Sequence, residues 1–408
     1  MKPRILTFAD WYLPGHKGGG SVAAIRNLTE LLADDFAFHI ITRNHDNGED
    51  RPYAGIRPDC WTPAGKAEIC YTADLSFRNI RRHIRAIAPR IIYLNSFFSP
   101  FTRKVLLLRR LGLLPHAAVV LAPRGEFSPG ALEIRPLRKR AYRKLALFLG
   151  LQRNLTWQGS STLEEHHIRQ FIHRRGMTKE ENILVASDVY TATLACSPHS
   201  VSRPEKRPGS ARFVFLSRIS PKKNLHFALE LLGSVRGQIE LDIFGPVEDP
   251  AYWRTCQEIL RNLPSRVRIA YKGPLLPGQV MQAFEGSHFQ LLPTRGENFG
   301  YVILESLMAG CPVVTSDQTP WQQLALQGIG WDLPLADRAK WLEALQHCVD
   351  MDQPEHSAIS ERCRSFATEW VSATPFRRSA LHLFQTALRG ATNSSQPLTA
   401  QDSLESGD

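Results

Sequence analysis

The chain has 408 residues, 43% of them hydrophobic and 22% charged, and a formal net charge of +11. That length suggests about two to three domains, and the apolar content gives them cores that need no covalent staples. The seven cysteines are odd in number and include no C-x-x-C pair, which argues against a disulfide framework or a zinc site and fits a reducing compartment. No window approaches the roughly 18 apolar residues of a membrane span, and the apolar stretch near Met1 is too short for a signal peptide. The expected location is cytoplasmic, or peripheral at the inner face of the cell membrane. The positive charge favours an anionic partner without choosing among nucleotide phosphates, nucleic acid and an acidic membrane surface.

Ile5–Ala9 reads as a short buried strand. The loop after it ends in Lys17-Gly18-Gly19-Gly20, and Ser21 is expected to cap a helix from about Val22 to Leu32. Consecutive glycines before a helix expose amides to an anion, and the helix dipole adds to the attraction. Neither a Walker loop nor the G-x-G-x-x-G fingerprint is present, so a plain flexible loop stays open as a reading. Phe36–Thr42 is the second strand, and residues 45–66 read as a polar loop region. A basic helix (Phe77–Ala88), a strand (Arg90–Leu94) and a second basic helix (Arg103–Leu111) follow. This alternation favours a parallel sheet with helices on both faces.

Ala118–Leu121 is a further strand, closed by a Pro- and Gly-bearing loop that carries Arg124 and Glu126. Next come Arg135, Arg138, Lys139, Arg140, Arg143 and Lys144, with Leu137, Ala141, Lys144, Leu145 and Phe148 at roughly helical spacing. One reading is docking to an anionic leaflet. The other is a helix that buries one side and solvates its basic face. No aromatic-interleaved basic motif or nucleic-acid-binding fold is seen, so nucleic acid is not expected as a partner. Asn154–Gln158 and Asn182–Ser187 complete the strands of the first half. Adjacent His166 and His167 project about 100° apart on a helix and make a poor metal pair.

Pro198–Ser210 has the Pro, Ser and Gly content of an exposed interdomain linker. The same grammar then restarts. Arg212–Leu216 is a strand, Ser217–Asn224 its loop and Leu225–Leu232 a helix. Arg218 and Lys223 stand beside that helix start, where a planar fork and a mobile point charge suit a diphosphate. Two cations five apart mean little by themselves. Strands at Ile239–Phe244 and Val267–Tyr271 alternate with helices at Ala251–Leu263 and Gln279–Phe284. Helices are expected near Trp321–Leu326, Leu335–Val349 and Ser357–Trp370, then an amphipathic one at Thr374–Leu388. Residues 391–408 are Ser-, Gln- and Gly-rich and expected to be disordered.

The stretch from Thr294 to Trp321 organises the rest. Phe289–Leu292 is an apolar strand, Gly296 and Gly300 permit a tight turn, and Tyr301–Ala309 is a helix stopped by Gly310 and Pro312. Glu297 lies in the loop and Glu305 in the helix. Helix amides and two carboxylates at a strand's carboxyl end mark the ligand side of an open α/β sheet. The spacing resembles the E-x7-E signature of retaining glycosyltransferases. The wider text, Gly296-Glu297-Asn298-Phe299-Gly300 through Ser316-Asp317-Gln318-Thr319-Pro320-Trp321, is similar to glycosyltransferase family 4, in particular to enzymes of bacterial surface-polysaccharide and lipopolysaccharide assembly.

The resemblance implies an α/β fold of GT-B type: two Rossmann-like domains facing across a cleft, with a C-terminal helix crossing back to the N-terminal domain. It implies an acceptor-side domain over 1–197, a linker over 198–210, a nucleotide-sugar domain over 211–372, a crossover helix over 373–390 and a disordered tail over 391–408. The activity implied is metal-independent, retaining transfer of a sugar from a UDP- or GDP-sugar to the hydroxyl of a glycan or lipid-linked acceptor. No cofactor or metal is implied, and no Asp-x-Asp motif is seen. Arg218 and Lys223 would grip the donor diphosphate, with Lys222 where relatives often carry an acid. Glu297 would meet the transferred sugar, with the amides of Asn298, Phe299 and Gly300, and Glu305 the ribose hydroxyls. Gly19 and Gly20 would contact donor phosphate and acceptor. Lys17, Arg124 and Glu126 are acceptor-side candidates; many relatives carry a histidine in place of Arg124, and an Arg that merely holds its loop is the alternative. His288 replaces an Asp common in relatives and is taken as a tolerated departure. A sugar-nucleotide epimerase or phosphorylase of the same fold, or a non-catalytic membrane-bound scaffold, would share these features.

Overall fold

The computed structural model describes residues 2–15, 17–172, 182–190 and 203–393. They divide into two compact units. Met1–Phe127, Arg135–Val189 and Phe376–Asp408 make up the first, and Ser128–Ile134 with Tyr190–Pro375 the second.

The strands of the first unit are β1 (Arg4–Phe8), β2 (Ala37–Arg43), β3 (Trp61–Ala64), β4 (Ala67–Thr72), β5 (Ile91–Asn95), β6 (Ala118–Ala122), β7 (Thr156–Gly159) and β8 (Asn182–Val185). They form one sheet in the order β3-β4-β2-β1-β5-β6-β7-β8. Every pairing is parallel except that of β3 with β4. All residues of β5 and β6 are buried, as expected of central parallel strands covered on both faces. The helices are α1 (Gly20–Leu32), α2 (Phe77–Ile87) and α3 (Pro100–Arg110), then α5 (Pro136–Phe148) and α6 (Thr162–Ile172); the one-turn α4 (Pro129–Leu132) groups with the second unit.

Three expectations change here, and the face that α5 turns inward, left open by its sequence, is defined. The polar region 45–66 ends in a strand, β3, which pairs with β4 as a hairpin at the sheet edge. Pro63 within it and its half-solvated pattern hid it. Ser21 does not cap α1: the N-cap is Gly19, at φ 66°, and the Ser21 hydroxyl donates to the Gly18 carbonyl at 3.1 Å. Helix α3 begins earlier than the periodicity suggested, because Ser99 caps it ahead of Pro100. In α5 the inward face is not the apolar one. Only Ala146 is buried, Lys139 lies over the Phe98 ring and Arg143 over the Phe171 ring, while Leu137 and Phe148 are 78% and 86% exposed.

The second unit has strands β9 (Ser210–Leu216), β10 (Gln238–Phe244), β11 (Val267–Gly273), β12 (Phe289–Leu292), β13 (Val313–Ser316) and β14 (Gly330–Leu333). The order β11-β10-β9-β12-β13-β14 is parallel throughout, the doubly wound order of dinucleotide-binding sheets. Its helices are α7 (Leu225–Ser234), α8 (Pro250–Arg261), α9 (Val280–Glu285), α10 (Tyr301–Met308), α11 (Arg338–Asp350) and α12 (Gln353–Ala373). Gly245 ends β10 at φ 132°; a Cβ there would lie 1.9 Å from the Ser217 carbonyl, so only glycine lets the two strand ends run this close. The helix expected at Trp321–Leu326 is absent. Asp332 accepts the amides of Gln323 and Leu324 instead, and Gln323 is left-handed.

Residues 198–202 of the expected linker lie outside the described residues. The rest is not simply exposed. Arg203 donates to the Gly310 carbonyl and Ser360 hydroxyl, both at 2.6 Å, and the buried Lys206 ammonium donates to the carbonyls of Val349 and Met351 at the end of α11. The last helix, α13 (Phe376–Asn393), belongs to the first unit. Phe384 packs edge-on against Phe36 and Tyr93, and Arg377 bonds the Leu31 carbonyl and the Asp35 carboxylate. Residues 394–408 lie outside the described residues. Six cysteines are described and all are free. No helix among the described residues is long and apolar enough to cross a membrane.

Candidate functional site

In the second sheet the chain winds one way from β9 to β10 and β11, and the other way from β12 to β13 and β14. The loops at the carboxyl ends of β9 and β12 therefore flank a topological switch point, the usual ligand crevice of such a sheet. These loops are Ser217–Asn224 and Pro293–Gly300. They are laced together: the Arg295 amide donates to the Lys222 carbonyl at 2.8 Å, and the Thr294 hydroxyl donates to the same oxygen at 3.3 Å.

The lacing brings Lys223 onto Glu297. Their ammonium and carboxylate form an ion pair whose side chains are only 10% and 11% exposed. Burial by itself would raise the Glu297 carboxyl. The charges of Lys223, Lys222 and Arg218 outweigh it and hold the group below the ordinary carboxylate range. Arg218 stands in the same loop and pairs with Glu248 at 2.6 Å in a more exposed position. Glu248, 30 residues on in the chain, was not foreseen as its partner.

Two helices start beside this pair. The N-cap of α7 is Asn224 at φ 62°, that of α10 is Gly300 at φ 79°, and no side chain caps either. Uncapped helix starts next to cations suit an anion with several oxygens. Gly300 is required by its conformation and by the Trp321 indole, which donates to the Phe299 carbonyl at 2.7 Å and would lie 3.0 Å from an added Cβ. The Phe299 ring is buried against Trp321 and Trp370, so that residue offers its backbone rather than its side chain. Asn298 shares the loop.

Glu305 stands on α10. No hydrogen bond or ion pair engages its carboxylate among the described residues, and burial alone pushes it up to about 7. A carboxyl whose folded value exceeds its unfolded value favours folding below the unfolded value, and loses that advantage as pH rises through about 7. Glu305→Gln is therefore expected to raise stability at pH 8 by about 2 kcal/mol, after discounting for partial exposure. Urea midpoints of both proteins at pH 8 check this; an unchanged or lower midpoint would refute the burial penalty.

In the first unit, Gly19 and Gly20 open α1, whose start no side chain caps. Lys17 pairs with Glu49 at 2.5 Å and its amide donates to Asp46. Arg124 and Glu126 are engaged inside the unit. The Arg124 guanidinium ion-pairs with Asp188 and donates to the Asn95 side chain and, at 2.7 Å, the Tyr93 hydroxyl. Glu126 accepts from the Ser96 hydroxyl and the amides of Phe97 and Phe98, and burial pushes its carboxyl up to about 6. These geometries are those of residues that hold their loops. Sequence reasoning passed over Asp10, at the carboxyl end of β1 by the first sheet's own switch point between β1 and β5. It accepts from Ser99, lies 3.5 Å from Arg43, and burial raises its carboxyl. An acid directly after the first strand was the available signal.

Residues 200–331 match the family Glycosyl transferases group 1. The matched segment contains both loops, Lys223, Glu297 and Glu305. No curated protein matches the chain. Among solved structures, the sucrose-phosphate synthase of Thermosynechococcus elongatus is similar with a TM-score of 0.68 at 17% identity, covering 97% of this chain and 100% of that one. HepE of Anabaena, solved in complex with UDP and glucose, is similar with a TM-score of 0.65 at 16% identity over the same shares. WaaG, a glycosyltransferase involved in lipopolysaccharide biosynthesis, is similar with a TM-score of 0.63 at 13% identity, covering 94% and 98%. The fold is the two-domain α/β fold of GT-B glycosyltransferases, with parallel sheets, over nearly the whole chain.

Proposed function

We infer that this protein is a retaining glycosyltransferase that moves a sugar from a nucleoside-diphosphate sugar, UDP- or GDP-linked, to an acceptor hydroxyl. The observation that carries the reading is the buried Lys223–Glu297 pair, with Arg218, between two uncapped helix starts at the second sheet's switch point. The bond to be broken joins the sugar's anomeric carbon to the diphosphate. As it breaks, negative charge grows on the leaving oxygen. Arg218, Lys223 and the loop amides neutralise that charge with preorganised donors, so the reading invokes no metal. Glu297 orients the transferred sugar, and Glu305 receives the ribose hydroxyls. The acceptor oxygen attacks on the face the diphosphate leaves, and its proton passes to the departing phosphate oxygen. HepE, solved with UDP and glucose, supports the donor class.

The acceptor role is assigned to the first unit, with Lys17 as its candidate, beside Gly19 and Gly20, which would contact both donor phosphate and acceptor. The acceptor proposed is a glycan or lipid-linked glycan of surface-polysaccharide or lipopolysaccharide assembly, reached at the inner face of the cell membrane. The outward Leu137 and Phe148 of α5, with Arg135, Arg138, Arg140 and Lys144, favour docking to an anionic leaflet.

Arg218→Ala is expected to weaken binding of UDP or GDP about 10- to 100-fold, the loss of a charged hydrogen bond. Stability should change by less than about 0.5 kcal/mol, because the Glu248 partner is exposed. Calorimetric titration checks this, and unchanged affinity would remove the phosphate assignment. Incubation with a donor panel tests the activity. Nucleotide release that requires an acceptor supports transfer; interconverted donor indicates an epimerase, and neither turnover nor binding indicates a scaffold.

A further inference from the structure

We propose that Asp59, Cys70 and His83 of the first unit form a divalent-cation site of the zinc type. The three residues come from a loop, a strand and a helix, so no spacing in the sequence announces them. The hairpin register pairs Trp61 with Cys70. Asp59, two residues before Trp61, lies in the turn before β3 with φ 56°, and its amide donates to the Tyr71 carbonyl at 2.7 Å, which anchors it beside the face that carries Cys70. Helix α2 supplies His83 to that face. Cys70 Sγ lies 3.9 Å from His83 Nε2, which lies 3.8 Å from Asp59 Oδ1, and all three donor atoms fall within 4.8 Å of one another.

Metal–ligand bonds of about 2.0–2.3 Å in a tetrahedron separate neighbouring ligand atoms by about 3.4–3.6 Å. The two contacts to His83 need to contract by only a few tenths of an ångström, and the Cys70–Asp59 separation, within 4.8 Å, by at most about 1.3 Å. Cys70 and His83 are buried, while the Asp59 side chain is 35% exposed, which leaves a fourth position for water. The surrounding residues fix the donors. Asn79 donates to Asp59 Oδ1 at 3.2 Å, and the Trp61 ring stands edge-on to His83 with centroids 5.8 Å apart. Thiolate, imidazole and carboxylate together select Zn²⁺ over Mg²⁺ or Ca²⁺. Binding replaces the Cys70 S–H bond with a metal–sulfur bond, and the proton leaves to solvent. The bound ion ties the β3–β4 hairpin to α2.

The full-length chain, stripped with a chelator and titrated with Co²⁺, tests this. The expected results are an equimolar uptake of Co²⁺, a thiolate-to-metal charge-transfer band, and release of one proton equivalent per ion. Zn²⁺ should displace the Co²⁺ and bleach the band. Cys70→Ser should abolish the band. Cys60→Ser, at the neighbouring exposed thiol, should keep it. His83→Gln provides the same reading should Cys70→Ser fold poorly. Absence of the band in the unmodified chain, or its survival in Cys70→Ser, would overturn the site and leave a core contact only.

Discussion

Replacing Lys223 by alanine is expected to lower turnover with donor and acceptor by about 10²–10³-fold, the usual cost of removing one preorganised donor to a developing anion. The same change should destabilise the second unit by about 3 kcal/mol, because it leaves Glu297 buried without its counter-ion. The two losses have different causes and are separable. In Lys223→Ala with Glu297→Gln, no buried charge is stranded, so stability should largely return while turnover stays low. Steady-state kinetics and urea unfolding of the two variants check this. Turnover within twofold of the parent would sink the assignment of Lys223 to the leaving group. Recovered turnover in the double variant would recast the pair as structural.

Acid should weaken the second unit through His288 and His356. The His288 Nδ1 accepts the Arg212 amide at 3.0 Å, so its Nε2–H donates to the Pro204 carbonyl at 2.9 Å. His356 Nε2–H donates to the His288 carbonyl at 3.0 Å. Both rings are buried and neutral, and burial pushes each down to about 4. A histidine whose folded value lies below its unfolded value adds stability that is complete above the unfolded value. That stability is lost as pH falls toward the folded one. At pH 5 each ring is about 1.5 units into this window, so the pair contributes a loss of about 4 kcal/mol relative to pH 7. Glu305 acts in the opposite sense over the same range. The quantity to measure is therefore the difference in urea midpoints between pH 7 and pH 5, for the parent and for His288→Asn with His356→Gln. The variant should show the shallower dependence; equal slopes would refute the neutral-pair account.

How much of this was legible beforehand varies by residue. Most parallel strands of both sheets were readable because buried strands are continuous apolar runs bounded by Gly and Pro; β4 and β14 were not read. Lys223 and Glu297 were readable as a set only through the wider text around them, since their meeting depends on two loops 74 residues apart. The β3–β4 hairpin was not readable, because an edge strand with Pro63 and an exposed face carries no period. Nor was the orientation of α5: its sequence allowed the apolar stripe to face either way, and Lys139 and Arg143, lying over aromatic rings, turn that stripe outward. His288 looked like a tolerated substitution. In the fold it holds the Pro204 carbonyl and so fixes the segment entering β9.

Helix α13 completes the first unit although it is translated after the whole of the second. The nascent chain therefore carries an open surface around Phe36 and Tyr93 throughout synthesis of residues 190–375. A ribosome that stalls before Phe384 emerges leaves that surface bare, whereas the 203–375 region already has every strand of its own sheet. Chaperone dependence and aggregation of truncated products should concentrate on the amino-terminal half for this reason.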